Sequence, residues 1–302
     1  MLYGKYSFKC SFESDTILPQ YKGSTFRGIF GHALKKVVCA LKRQECEDCL
    51  LKDKCVYAFV FENAFIHPYV IEPPDTTGTD YGKGDELAFN LLLFGKANDY
   101  LPYFIYAFDM IGKTGIGKRI KGRAGTFKLE SVSSGDQPVY SSLDGKMRQH
   151  DFANELSLSN FRMKGSNALN SLEISLKTPL RLKYLNHLES ALPFHVLVRA
   201  MLRRISSLEN SYGTGEPDID YRELVKIAET VTTSASSLRW FDWKRYSSRQ
   251  EQSMLMGGIT GNVTYSGEIA EFLPLIRFCE KVHLGKQTSF GLGKIEIVGA
   301  QP

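Results

Sequence analysis

Apolar and polar residues alternate at the start of the chain, and their spacing then changes to that of a helix. Residues 3–13 alternate as in a half-buried strand. From 25 to 41 apolar residues recur at helical spacing, and Ser24 can cap the start of this helix. The same two periods predict strands over 56–62, 65–71, 86–94 and 126–132 and a helix over 99–111. The first half of the chain therefore follows the order β-α-β-β-α-β, with one extended segment more than this order needs.

The second half of the chain repeats this order. Its patterns predict strands over 171–182, 237–246, 254–265 and 294–298, helices over 193–208 and 268–282, and an additional helix over 221–230. Two tandem ferredoxin-like domains, an α+β fold, are the economical explanation of the repetition. We predict an N-terminal domain over 1–134 with a Cys-rich insert at 39–55, a connection over 135–168 and a C-terminal domain over 169–302.

Composition and charge narrow the class of protein. The 302 residues are 43% hydrophobic and 24% charged, which is typical of a folded globular protein. The net charge of +5 is a small excess, so its distribution along the chain matters more than its sum. No signal peptide is visible, and the apolar stretches are too short or too interrupted to span a bilayer. We therefore expect a cytoplasmic protein without a membrane partner.

Two glycine-rich segments each follow the second main helix of a half and precede its last strand. Residues 112–128 carry several cations and no acid, and both this segment and residues 285–294 contain Gly-hydrophobic-Gly-Lys. Glycine lets the backbone come close to a ligand, and neighbouring cations attract phosphates. A nucleotide-binding P-loop is excluded because these segments follow a helix and precede a strand. We predict nucleic-acid binding; two solvated loops that match by coincidence are the alternative.

Four of the six cysteines fall between residues 39 and 55. Cys39, Cys46, Cys49 and Cys55 supply enough thiols for a tetrahedral zinc site, and the central C-x2-C pair suits a metal knuckle. The insert is short and charged, so a metal would help to order it. We predict structural zinc with no role in catalysis. Free thiols, a disulfide or an iron–sulfur cluster are the alternatives that the spacing leaves open.

Three segments carry a resemblance to a known family. Residues 22–34 read KGSTFRGIFGHAL, and residues 46–57 read CEDCLLKDKCVY. The third segment is the glycine-rich loop over 285–293, near the C-terminus. They resemble the RAMP superfamily of CRISPR-associated proteins, and within it the precursor-RNA processing endoribonucleases with an N-terminal four-cysteine insert. The family loop often begins Gly-hydrophobic-Gly, whereas the first of these positions is His283 in this chain.

The resemblance implies a fold, a substrate and a reaction. It implies two ferredoxin-like domains that bind CRISPR repeat RNA and cleave it without a metal by attack of a 2′-hydroxyl, leaving a 2′,3′-cyclic phosphate. Other CRISPR-associated proteins are further candidate partners. A non-catalytic RAMP subunit that holds guide RNA in an effector complex is the alternative, and a small-molecule enzyme with a zinc-stabilised cap is a more remote one.

Attack by a 2′-hydroxyl needs a base, an acid and positive charge near the phosphate. We predict His32 as the first catalytic candidate, because relatives often place a general acid or base on the first helix, with Lys35 and Lys36 on the same side. His283, beside the glycine-rich loop, is the second candidate, and His67 is interpreted as structural. The predicted RNA-binding residues are Arg27, Lys113, Lys118, Arg119, Lys121, Arg123, Gly285, Lys286, Gly291, Gly293 and Lys294.

Overall fold

The computed structural model divides the chain into two compact units. The N-terminal unit is Leu2–Asn154, and the C-terminal unit is Glu155–Pro302 together with Met1. The structure describes residues 1–42, 44–62, 66–148, 151–161, 169–184, 187–188, 191–247 and 252–301. Among these residues, no helix combines the length and the apolar character that a membrane crossing requires.

The N-terminal unit contains two long helices on a mainly antiparallel sheet. The helices are α1 (Gly23–Val38) and α2 (Leu101–Thr114). The strands are β1 (Leu2–Phe12), β2 (Thr16–Ile17), β3 (Tyr69–Glu72), β4 (Asp80–Tyr81), β5 (Glu86–Phe94), β6 (Ile116–Ile120), β7 (Arg123–Gly125), β8 (Phe127–Ser134), β9 (Gln137–Ser141) and β10 (Lys146–Met147), followed by β11 (Asn154–Glu155) at the end of the unit.

The main sheet of the N-terminal unit has the order β10-β9-β8-β1-β5-β3. Its central part, β8-β1-β5-β3, combined with α1 and α2, is the β-α-β-β-α-β arrangement that the sequence predicts. Aromatic residues fill the space between the sheet and the helices: the rings of Phe30 on α1 and Phe108 on α2 stack at 5.0 Å, and Phe8 on β1 stacks on Phe89 at 4.8 Å. Each buried aromatic side chain contributes about 1.5–3 kcal/mol to folding.

The C-terminal unit repeats the arrangement with different lengths. Its helices are α3 (Phe194–Tyr212), α4 (Tyr221–Ala228) and α5 (Leu273–Val282), and its strands are β12 (Ser171–Leu180), β13 (Lys183–Tyr184), β14 (His187–Leu188), β15 (Thr232–Ser236), β16 (Arg239–Ser247), β17 (Gln252–Ser266) and β18 (Ile295–Gln301). The sheet order is β15-β17-β12-β18, with β16 also paired to β17. The prediction of two tandem ferredoxin-like domains is therefore confirmed.

Three local predictions differ from the structure. The connection predicted over 135–168 begins instead with β9 and β10, which extend the N-terminal sheet beyond β8. The strand predicted over 56–62 is a π-helical turn at Ala58–Glu62. The glycine-rich segment between the helix predicted over 99–111 and the strand predicted over 126–132 is interpreted as a loop from the sequence. It is instead the end of α2 followed by the hairpin β6–β7, because β6 pairs with β2.

Candidate nucleic-acid interface

Helix α1 carries cationic side chains and a histidine but no acidic residue. Phe26, Phe30 and Leu34 bury one side of the helix in the core. On the opposite side Gly28, His32 and Lys36 follow one another at intervals of four residues, so they lie in one row along the helix. His32 and Lys36 are exposed, and a Cβ atom on Gly28 would meet no atom within 4 Å. The row is therefore an open surface that offers an imidazole and an ammonium group.

A second row of α1 faces the segment that follows the cysteine insert. The Arg27 guanidinium lies 4.9 Å from the centre of the Phe61 ring, and the Lys35 ammonium lies 5.4 Å from the centre of the Tyr57 ring. A hydrogen bond with Cys46 raises the pKa of Lys35. Lys35 is thus engaged by its neighbours, and of the two predicted lysines only Lys36 lies in the open row with His32.

The structure pairs Arg27 with His67, a contact that the sequence analysis missed. Arg27 Nη2 lies 3.4 Å from His67 Nε2, and His67 Nδ1 lies 3.0 Å from the carbonyl oxygen of Val60 in the π-helical turn. A carbonyl only accepts and a guanidinium only donates, so Nδ1 carries the proton and Nε2 accepts from Arg27. His67 therefore orients Arg27 at the side of α1, and the aromatic residues between 57 and 69 were the only signal of this cluster in the sequence.

Lys22, the first residue of the segment that carries the family resemblance, is buried. Its Nζ donates hydrogen bonds to the carbonyl oxygens of Thr76 at 2.8 Å and Gly78 at 2.7 Å. Burial lowers the pKa of this lysine. Lys22 therefore ties the start of α1 to the 76–78 loop and is not available to a ligand.

The hairpin β6–β7 presents the densest group of cations in the N-terminal unit. Lys118, Arg119, Lys121 and Arg123 are all exposed, and the structure gives them no ion pair among the described residues. Lys121 and Gly122 form the turn with φ values of 48° and 82°, as two-residue hairpins with type I′ turns require. These four predicted RNA-binding residues are thus gathered on one projecting element.

Gly117 fixes the position of this hairpin, and the lysine that precedes it in the sequence, Lys113, is not part of its cationic group. Gly117 has φ of 90°, and a Cβ atom there would come within 2.5 Å of Thr16 Oγ1, so only glycine lets β6 lie against β2. Lys113, by contrast, lies on α2 and forms an ion pair with Asp109 at 2.6 Å. That pairing offsets the Lys113 charge, so the structure does not support its predicted place among the RNA-binding residues.

His283 is fully buried in the C-terminal unit, which corrects its predicted catalytic role. Its Nδ1 donates a hydrogen bond to the carbonyl oxygen of Leu292 at 3.1 Å. The Arg204 guanidinium, whose pKa burial lowers to about 10, donates to the carbonyl oxygens of Val282 at 2.8 Å and His283 at 3.2 Å. His283 and Arg204 therefore close the end of α5 and hold the following loop, and the imidazole has no access to a phosphate.

The C-terminal glycine-rich loop is built mainly for tight packing. Gly285, Gly291 and Gly293 have φ values of 79°, 82° and 75°, and a Cβ atom on Gly293 would collide with the Leu284 carbonyl group. Gly291 and Gly293 are buried, Lys294 is half-buried, and Lys286 is exposed. The structure therefore leaves Lys286, with Gly285 beside it, as the accessible part of the predicted RNA-binding loop, and it does not support direct contact by Gly291 or Gly293.

The cysteine insert does not assemble the predicted zinc site in this arrangement. All four thiols are described, and among the described residues no three His, Cys, Asp or Glu side chains are placed to hold a metal. The geometry therefore does not fit a tetrahedral zinc ion unless the insert changes conformation. Zinc binding by Cys39, Cys46, Cys49 and Cys55 stays a prediction from the sequence, and the metal content of the purified protein is the measurement that tests it.

Comparison with known proteins adds family information to this geometry. Residues 174–295 match the family model described as CRISPR-associated endoribonuclease Cas6, and residues 1–152 match the AF_1859_N model, described as an N-terminal domain. An uncharacterized protein of Archaeoglobus fulgidus is 29% identical over 298 residues, which cover 93% of this chain and 92% of that relative.

Solved structures share the fold at low sequence identity. A Cas6 product complex superposes with a TM-score of 0.59 at 14% identity, over 99% of this chain and 100% of that one. A Cas6 of Thermus thermophilus gives 0.57 at 13% identity, over 98% of both chains. A partial Cas6-RT-Cas1–Cas2 complex gives 0.59 at 14% identity over 99% of this chain and 46% of that chain. At these identities the likeness establishes the tandem fold.

Proposed function

Because the chain belongs to the CRISPR-associated RAMP-type endoribonucleases, we propose that its substrate is CRISPR repeat RNA and that it cleaves this RNA once per repeat to release guide RNAs. The observation that carries the proposal is the open row on α1, where His32 and Lys36 stand side by side on a helix without acidic residues. Such a surface attracts a phosphate and places an imidazole beside it that can act as a general acid or base.

The proposed reaction needs no metal. The ribose 2′-oxygen forms a bond to the adjacent phosphorus, and the bond from phosphorus to the 5′-oxygen of the next nucleotide breaks. A base takes the proton of the 2′-hydroxyl, and an acid gives a proton to the leaving 5′-oxygen. The products are a 2′,3′-cyclic phosphate and a 5′-hydroxyl.

Four side chains of α1 have a part in this scheme. His32 exchanges a proton with the reacting oxygens, and Lys36, one turn further along, stabilises the charge that develops on the phosphorane. Arg27, held by His67 and the Phe61 ring, supplies positive charge at the neighbouring row. Lys35 contributes to the same potential while it remains in contact with Tyr57.

The RNA backbone is held by cations outside α1. Lys118, Arg119, Lys121 and Arg123 on the β6–β7 hairpin bind phosphates in the N-terminal unit, and Lys286 does so in the C-terminal unit. Other CRISPR-associated proteins are proposed as further partners, and the match to a partial complex of Cas6, RT, Cas1 and Cas2 supports that proposal.

The test is cleavage of repeat RNA by purified variants. His32→Ala should lower the cleavage rate by roughly 10²–10⁴, the usual contribution of a general acid or base, while RNA affinity changes little. His195→Ala, at the start of α3, is the matched control and should cleave as the unaltered protein does. If His32→Ala also cleaves normally, the proposed role of α1 is wrong. If the unaltered protein binds several repeat RNAs but cuts none, the non-catalytic subunit is the better description.

A further inference from the structure

A basic groove runs between α3 and α4 in the C-terminal unit. It contains an open cavity of about 530 Å³, and cations line both of its sides: Arg199 and Arg203 from α3, and Arg222 and Lys226 from α4. Each pair is spaced by four residues, so each helix places its two cations on the same face. Helix α4 is additional to the β-α-β-β-α-β plan. Asp220 caps its start, because the Asp220 carboxylate accepts hydrogen bonds from the backbone N–H groups of Arg222 and Glu223.

The acids in the groove do not cancel this charge. Glu229 pairs with Arg199 at 3.4 Å, and Glu216 accepts a hydrogen bond from Ser206 Oγ at 3.0 Å. Arg203, Arg222 and Lys226 are exposed, and none of them has an ion pair with another described residue. Three cations on two packed helices are therefore available to a ligand. Each helix places its two cations four residues apart, which separates them by about 6 Å along the helix axis, so the positive charge extends along both walls of the groove.

We propose that this groove binds single-stranded RNA that flanks the repeat. A polyanion satisfies cations distributed along both walls better than a small anion does, because successive phosphates reach successive side chains. The charged lining excludes an apolar ligand, and Tyr221, the first residue of α4, adds to this lining an aromatic side chain of the kind on which bases stack. The inference rests on the proposed function, since it extends the RNA beyond the cleaved repeat.

The experiment compares two RNAs and two sets of variants. One RNA is the repeat alone, and the other is the repeat with unstructured extensions at both ends. The groove variant is Arg203→Gln/Arg222→Gln/Lys226→Gln, in which glutamine keeps the helix propensity. The control, Arg277→Gln/Lys281→Gln, removes exposed cations from α5 in the same unit. Circular dichroism and thermal unfolding establish that both variants are folded.

The proposal expects the unaltered protein to bind the extended RNA more tightly than the repeat alone. The groove variant should lose this gain, and the dependence of its log affinity on log salt should weaken by roughly 2 for the extended RNA, about 0.7 for each phosphate contact removed. Affinity for the repeat alone and its cleavage should be unchanged, and the control should keep the gain.

Two results overturn the inference. The first is an unaltered protein that binds both RNAs equally. The second is a groove variant that keeps the whole gain. In both cases the proposed function survives as long as the unaltered protein cleaves the repeat. If the unaltered protein binds neither RNA, the proposed function itself fails.

Discussion

At the scale of single residues, His283 tests whether the C-terminal loop is structural. Its backbone has φ of 60°, which strains any residue other than glycine, and its buried ring donates a hydrogen bond to the carbonyl oxygen of Leu292. We expect His283→Ala to lower the free energy of unfolding by about 2–4 kcal/mol, because the variant keeps the strain and loses the bond and the packing. His283→Gly should be roughly 1 kcal/mol more stable than His283→Ala, because glycine relieves the strain.

Denaturant unfolding measures both variants, and cleavage assays complete the comparison. Since the imidazole has no access to a phosphate, folded His283→Gly should cleave repeat RNA at the rate of the unaltered protein. A variant with unaltered stability and lost cleavage would return His283 to the catalytic candidates.

A second residue links stability to pH. Hydrogen bonds from Lys128 and then Ser11 lower the pKa of Glu130 below its ordinary value of 4.5. A carboxylate with a depressed pKa stabilises the fold above its unfolded pKa, and this contribution is lost as the pH falls through the folded pKa. Glu130→Gln should therefore narrow the difference in unfolding free energy between neutral pH and a pH below the unfolded value. An equal or wider difference would show that these hydrogen bonds do not favour the carboxylate.

Some side-chain contacts of α1 could not be predicted from the sequence. Helical spacing alone groups Lys35 with Lys36. The contacts of Lys35 with Cys46 and Tyr57 arise only because the insert and the segment that follows it fold back against α1. The pairing of Arg27 with His67 depends on the same fold-back. No local sequence pattern encodes such contacts. His67 could therefore be interpreted as structural from the sequence, but its partner Arg27 could not be identified.

At the scale of elements, the β6–β7 hairpin is the main expected phosphate contact. Replacing Lys118, Arg119, Lys121 and Arg123 by glutamine should reduce the dependence of log affinity on log salt by roughly 3, about 0.7 for each contact. Stability should change little, because all four side chains are exposed. Lys113→Gln is the matched control, since its charge is already engaged by Asp109. A hairpin variant with an unchanged salt dependence would remove this element from the interface.

The elements themselves were mostly predictable. Strand and helix periods gave β1, α1, β5, α2 and the corresponding elements of the C-terminal unit, because each has one face in the core. The hairpin was predicted as a loop because its partner strand, β2, is two residues long and distant in sequence. The π-helical turn at Ala58–Glu62 was predicted as a strand because its apolar residues are equally compatible with both.

At the scale of the whole molecule, the two β-α-β-β-α-β units share one topology but present different side chains at their surfaces. The N-terminal unit presents the open row of α1 and a projecting cationic hairpin, whereas the C-terminal unit buries most of its glycine-rich loop and adds α4 with its basic groove. The two glycine-rich segments, which look alike in sequence, are therefore built differently. Their shared Gly-hydrophobic-Gly-Lys sequence correctly indicated a repeated fold. It did not indicate that one segment forms a hairpin and the other a tightly packed loop.

The chemistry of the cleaved ends tests the central claim most directly. Repeat RNA is incubated with the purified protein in the presence of EDTA, and the termini of the products are identified by mass spectrometry. Attack by the 2′-hydroxyl at α1 predicts a 2′,3′-cyclic phosphate on one product and a 5′-hydroxyl on the other, in EDTA as in its absence. Products that end in a 3′-hydroxyl and a 5′-phosphate, or cleavage that stops when EDTA is added, would contradict the account.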